Sequence, residues 1–109
     1  VRLQRLTGWV LDRISLALYR NGEDSVAWHG DRMGELRKNC VMAIVSLGAE
    51  RRFLIRPAGG GPSRTLRLTG GDLVLMGGTI HDTFEHSVPK EAFAGPRIAL
   101  MFRPSARPR

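Results

Sequence analysis

Ile14-Ser15-Leu16-Ala17-Leu18-Tyr19-Arg20-Asn21-Gly22-Glu23-Asp24-Ser25-Val26-Ala27-Trp28-His29-Gly30-Asp31 is the stretch whose reading decides the fold of this 109-residue chain. Its first six residues alternate with period two, the signature of a half-buried strand. Asn21-Gly22 then breaks the run with turn chemistry. On the extended segment that follows, residues i and i+2 project from one face, so His29 and Asp31 can reach a common point.

The same grammar continues outward. Val41 to Leu47 is a nearly continuous apolar strand ending at Gly48. Phe53 to Arg56 and Thr65 to Leu68 flank Pro57-Ala58-Gly59-Gly60-Gly61-Pro62, a flexible hairpin connection. Asp72 to Met76 follows the Gly70-Gly71 turn, and Ile98 to Phe102 closes the series. Short strands divided by Gly/Pro turns predict an all-β sandwich or jelly roll. Helix is expected only where Val1 to Trp9 could form the end of one, with a short turn over Gly34 to Lys38. There are no internal repeats. The expectation is one domain over 1–109, a core over 14–103 and a basic, disordered tail over 104–109.

His29 and Asp31, joined by His86 from a distant strand, form the two-imidazole, one-carboxylate set of a facial-triad iron site. Such a set leaves about three coordination positions open, unlike a closed structural zinc site. Three histidines and five aspartates in the chain make a single H-x-D step a weak motif. The plain alternatives are a loop-edge histidine beside Trp28 and a surface histidine before a turn at Pro89.

The wider string carries more. Leu18 through Asp31 closely resembles the strand-and-turn segment of the AlkB family of 2-oxoglutarate- and Fe(II)-dependent dioxygenases. Ala43-Ile44-Val45-Ser46-Leu47-Gly48-Ala49-Glu50-Arg51-Arg52-Phe53 is similar to the next family signature. Gly71-Asp72-Leu73-Val74-Leu75-Met76-Gly77-Gly78, His86-Ser87-Val88-Pro89-Lys90 and Arg97-Ile98-Ala99-Leu100-Met101-Phe102-Arg103 follow in family order. The resemblance runs from about Ile14 to Arg103.

It implies a double-stranded β-helix (jelly roll) that binds Fe(II) at His29, Asp31 and His86 and uses 2-oxoglutarate and O2. Arg97 and Arg103 are six residues apart on a strand and so share a face. Guanidinium pairs bidentately with carboxylate, the geometry that a dicarboxylate requires. By the family pattern Arg97 holds the distal carboxylate, Arg103 lies near the metal-proximal carboxylate and Asp31, and Tyr19 contacts the co-substrate. Without that match, both arginines would read as a basic edge strand facing solvent. The implied activity is oxidative demethylation of alkylated nucleobases, yielding succinate, CO2 and formaldehyde. The base must be flipped out or already single-stranded.

Composition is consistent with this. The net charge of +7 suits a polyanion, so the expected partner is alkylated single- or double-stranded DNA, or RNA. Yet 15 arginines against two lysines can also reflect genomic base composition. Phosphate contacts are assigned to arginines such as Arg51 and Arg64. One cysteine, Cys40, excludes an intrachain disulfide, reads as an inert core thiol and suits a reducing cytoplasm. No apolar run approaches a membrane span and no signal-peptide pattern opens the chain. A cytoplasmic monomer is expected.

Three positions depart from the family pattern. Ala17 stands where many members carry an asparagine that bonds the co-substrate. Met33 replaces an acidic residue that lines the base pocket, and Met76 an aromatic one. The chain also begins at Val1 with little of the amino-terminal lid, so it reads as a catalytic core cut from a longer protein or a truncated paralogue. Two alternatives follow: a catalytically impaired basic nucleic-acid-binding fragment, and the same oxygenase chemistry on a protein or lipid substrate. A cupin-type isomerase with the same triad would have no use for the Arg97/Arg103 pair.

Overall fold

The computed structural model describes residues 8–30, 40–77 and 80–106. Among these residues eight strands form two four-stranded antiparallel sheets. They are β1 (Arg13–Tyr19), β2 (Val26–His29), β3 (Met42–Gly48), β4 (Arg51–Pro57), β5 (Arg64–Leu68), β6 (Leu73–Met76), β7 (Phe84–Val88) and β8 (Arg97–Arg103). One sheet has the order β1-β8-β3-β6 and the other β2-β7-β4-β5. Chain neighbours fall in opposite sheets at most steps, which is the jelly-roll arrangement and matches the all-β reading. The single helix among the described residues, α1 (Ile80–Thr83), was not anticipated; four residues are too few to show a helical period. The helix end suggested for Val1 to Trp9 falls almost wholly, and the turn over Gly34 to Lys38 entirely, outside the described residues.

Local chemistry explains the turns. At the β1–β2 connection the Asn21 side chain accepts the Glu23 N–H at 2.8 Å, an Asx turn, and the Asp24 N–H reaches the Asn21 carbonyl at 3.3 Å. Before β6, Asp72 takes the Thr69 N–H at 2.8 Å and the Thr69 hydroxyl at 2.9 Å. Gly48, where β3 ends, has a φ of +94° and lies tight against the Pro96 carbonyl, a position closed to side chains on both counts.

The core lies between the sheets and comprises Tyr19, Met42, Ile44, Phe53, Leu68, Met76, Val88 and Ala99. A satellite of Trp9 against fully buried Cys40 agrees with the inert-thiol reading. In β1 the residues that turn inward are Ala17 and Tyr19, which face Ala99 and Arg97 of β8. Ile14, Leu16 and Leu18 take the outer face and are 62–67% exposed. Packing continues past Arg103: Pro104 is buried, and Ser105 gives its N–H and hydroxyl to Asp12 at 2.8 and 2.6 Å. The basic tail expected over 104–109 therefore has a docked start, while 107–109 lie outside the described residues. No helix among the described residues is long and apolar enough to cross a membrane.

Candidate metal centre and anion pocket

β2 and β7 pair antiparallel, with His29 opposite His86 and a bulge between that pair and Val26–Val88. The two imidazoles, 57 positions apart in the chain, meet with ring centroids 4.3 Å apart at 61°. His29 Nδ1 lies 2.8 Å from the Ala27 carbonyl. A carbonyl only accepts, so Nδ1 carries a proton; in the neutral ring this leaves the lone pair on Nε2, the tautomer of a metal ligand oriented by an outer partner. His86 is buried, with Phe53 stacked on it at 5.2 Å and 27°. Among the described residues no three ligating side chains converge. Asp31, the third member expected from the sequence, lies outside them, as does Met33. The donor set present, two rings on adjoining strands with one tautomer imposed, fits a divalent first-row ion.

The same cavity runs from these rings to Arg97, lined between by Ala17, Val26, Ile44 and Met101 among others. β8 lies between β1 and β3, so the edge-strand reading of its arginines does not hold. Arg97 is 2% exposed and gives Nη2 to the Ser46 hydroxyl at 3.1 Å, while Nε and Nη1 have no partner among the described residues. Among the described residues no carboxylate lines that cavity. Burial pulls this guanidinium below its ordinary value; the Tyr19 hydroxyl works the other way, and nearby Arg51 adds to the depression. Orphaned donors on a buried, charged guanidinium at the end of an apolar cavity are what an anionic ligand would satisfy. Tyr19 is buried beside them, its ring centroid 4.9 Å from the Arg97 guanidinium carbon.

Arg103 continues the Arg97 face but at the far end of β8, opposite Arg13, and does not line the cavity. The assignment of Arg51 to phosphate contact is corrected: it is fully buried, and its two terminal nitrogens donate to main-chain carbonyls while its Nε has no partner among the described residues. Arg64 is exposed, as that assignment needs. Ser46, Phe53 and Arg51 are the site neighbours that sequence reasoning missed. Ser46 had a signal, a lone hydroxyl inside an apolar strand. Arg51 had none, being one arginine of 15.

The turn that feeds β2 is charge-locked. Asp24 accepts the Arg20 N–H at 2.8 Å and Arg20 Nε and Nη2 at 2.9 Å each. These bonds, led by the Arg20 side chain, hold its carboxyl well below the ordinary value of 3.8. A depressed carboxylate stabilises the fold above its unfolded value and loses that contribution as pH falls through the folded one. Asp24→Asn should therefore lower the melting temperature at neutral pH, with a gap to the parent that narrows below about pH 4. Parallel melts of parent and variant across pH give the readout; a constant gap would detach the effect from ionisation.

Comparison with known proteins follows the same lines. A family model described as the 2OG-Fe(II) oxygenase superfamily matches residues 1–103. The chain is 34% identical over 112 residues to human alpha-ketoglutarate-dependent dioxygenase alkB homolog 3, covering 94% of this chain and 39% of that protein. It is 32% identical over 111 residues to the bovine DNA oxidative demethylase ALKBH2, covering 94% and 40%. It thus spans about two fifths of the length of these curated relatives. Among solved structures, OsALKBH1 superposes with a TM-score of 0.70 at 20% identity, over 84% of this chain and 47% of that one. The Drosophila melanogaster CENP-C cupin domain superposes at 0.59 and 10% identity, over 83% and 59%, a likeness of fold alone. The chain therefore belongs to the 2OG-Fe(II) oxygenase superfamily, whose chemistry uses Fe(II), 2-oxoglutarate and O2, and its likeness within that superfamily is to the AlkB homologues.

Proposed function

We propose that this chain is an Fe(II)- and 2-oxoglutarate-dependent dioxygenase that oxidatively demethylates alkylated nucleobases of DNA or RNA. The observation that carries the reading is the buried guanidinium of Arg97, whose Nε and Nη1 have no partner among the described residues, in the cavity that also holds His29 and His86. His29, Asp31 and His86 hold the metal. Arg97 receives the distal carboxylate of the co-substrate, with Tyr19 beside it, and Arg103 belongs near the metal-proximal end and Asp31. Iron held there would supply the oxidising chemistry of the superfamily, in which reduction of O2 is coupled to decarboxylation of 2-oxoglutarate and hydroxylation of the substrate, here an N-methyl group that would be lost as formaldehyde. The protein's share is placement: apolar walls line the path between the two rings and Arg97, and the Ala27 carbonyl orients the His29 ring.

The nucleic-acid part rests on charge and on the names of the relatives, one of which is a DNA oxidative demethylase. Much of the arginine charge is spent internally. Arg20, Arg52, Arg56 and Arg67 pair with Asp24, Glu91, Glu85 and Glu50, and Arg51 and Arg97 are buried. Arg13 and Arg64, both exposed, are the described residues best suited to phosphate.

The test quantifies succinate and formaldehyde together on a methyladenine-containing oligonucleotide, with His86→Ala as blank. Succinate should exceed formaldehyde, because the groups for the co-substrate are in place while few described residues address a base, and small misplacement of the reacting carbon is costly. Nucleic-acid affinity should fall steeply with added salt. Succinate no higher than the blank would overturn the oxygenase reading; succinate with no formaldehyde at all would overturn the nucleobase substrate.

A further inference from the structure

We propose that Arg51 is a positioning residue: its guanidinium sets the register of the strands that carry His29 and His86 and, through Tyr19, the seat of Arg97. The proposal rests on the metal and co-substrate reading above. Arg51 opens β4 with no exposed surface, the largest fully buried side chain described. Its Nη2 donates to the Asp24 carbonyl at 2.8 Å and to the Pro89 carbonyl at 2.8 Å, and its Nη1 to the Asn21 carbonyl at 3.2 Å. Asp24 stands two residues before β2, and Pro89 directly after β7. One nitrogen thus holds the approach to one histidine strand against the exit of the other.

That tie matters because the β2–β7 ladder is thin. It matches at Val26–Val88 and His29–His86, with a bulge between. A bulged pair this short specifies its register weakly, and a one-residue slip would turn His29 to the other face, away from His86. The Arg51 bonds close next to Val26–Val88, on the side of the bulge away from the histidines. A neighbouring tie, the Glu91 N–H to the Gly22 carbonyl at 2.9 Å, joins the same two loops but reaches neither strand end.

The second link is aromatic. The Arg51 guanidinium carbon is 5.2 Å from the Tyr19 ring centroid, and that of Arg97 is 4.9 Å from the same ring. Both lie within cation–π range, so a shift of Arg51 moves the surface on which Arg97 rests. An apolar side chain of equal length would fill the space without the cost of burying a charge. What it would lack is the planar fork that meets three carbonyls at once, which lysine also lacks.

The experiment uses Arg51→Lys and Arg51→Met in the 109-residue chain, with Co(II) and 2-oxoglutarate under anaerobic conditions. Three readouts are taken: the ligand-field spectrum of bound Co(II), the 2-oxoglutarate affinity by calorimetry, and the NMR signal of ring-labelled tyrosine. Tyr19 is the sole tyrosine, so that signal needs no assignment. Arg51→Lys should fold, bind 2-oxoglutarate about tenfold more weakly, change the Co(II) spectrum and move the Tyr19 resonance, as expected when buried acceptors lose their donor. Should Arg51→Met fail to fold, the lysine variant decides. A folded Arg51→Lys with the parent's spectrum and affinity, alongside His86→Ala and Arg97→Ala that lose theirs, would overturn the proposal and leave the site reading intact. If those two controls bind as the parent does, the site reading fails and takes the proposal with it.

Discussion

Replacing His86 with alanine is expected to abolish Fe(II) binding. The residue cannot be spared, because a labile first-row ion is not held by the two ligands that remain. Nor is a substitute at hand: among the described residues no group of three ligating side chains converges on this point. His29, 4.3 Å away between ring centroids, is the sole other imidazole lining the cavity, and His81 is buried elsewhere beside the Met76 carbonyl. His29→Ala and Asp31→Ala should behave alike. Anaerobic titration with iron and 2-oxoglutarate should give a charge-transfer absorption in the parent and none in the three variants. Full occupancy in any one of them would remove that residue from the site. Circular dichroism should show each variant still folded, since the core cluster includes neither histidine.

Arg97→Ala should weaken 2-oxoglutarate binding by about 2–4 kcal/mol, the scale for leaving a desolvated carboxylate without its charged partner. In affinity that is roughly 30- to 1,000-fold. The size follows from burial: at 2% exposure, water cannot take over the role of the guanidinium, as it would at a surface pair. The Ser46 hydroxyl would remain but carries no charge. Arg107→Ala, in the carboxy-terminal tail, should change nothing. Calorimetry checks both, and equal affinity in the parent and Arg97→Ala would show that another cation anchors the co-substrate.

Most strands were legible because alternation and turn chemistry are local. The segments Ile14 to Tyr19, Val41 to Leu47, Thr65 to Leu68, Asp72 to Met76 and Ile98 to Phe102 each appear with ends moved by one residue. β4 begins earlier than the apolar run at Phe53 suggested, because Arg51 and Arg52 pair with Leu68 and Arg67. Two adjacent arginines look like a turn in sequence and become a strand only when a partner supplies the ladder. The candidate site was legible as residue types at spacings: an H-x-D step, a distant histidine, two arginines of equal parity, one tyrosine. Its supporting groups were not, since a buried arginine and an exposed one are written with the same letter.

The sequence by itself determined the period of each strand, the places where the chain turns and the chemistry available to a metal and an anion. Only the tertiary structure decided which row of β1 faces inward. Leucine and isoleucine there are the more apolar row, yet Ala17 and Tyr19 point to the core because β8 sets Ala99 and Arg97 opposite them. The same pairing put Arg97 inside a sheet instead of on its edge, and the β2–β7 ladder brought two rings 57 positions apart to 4.3 Å. A period of two carries no sign: it says that faces alternate, and only register across strands, a long-range property, says which of them is the inside.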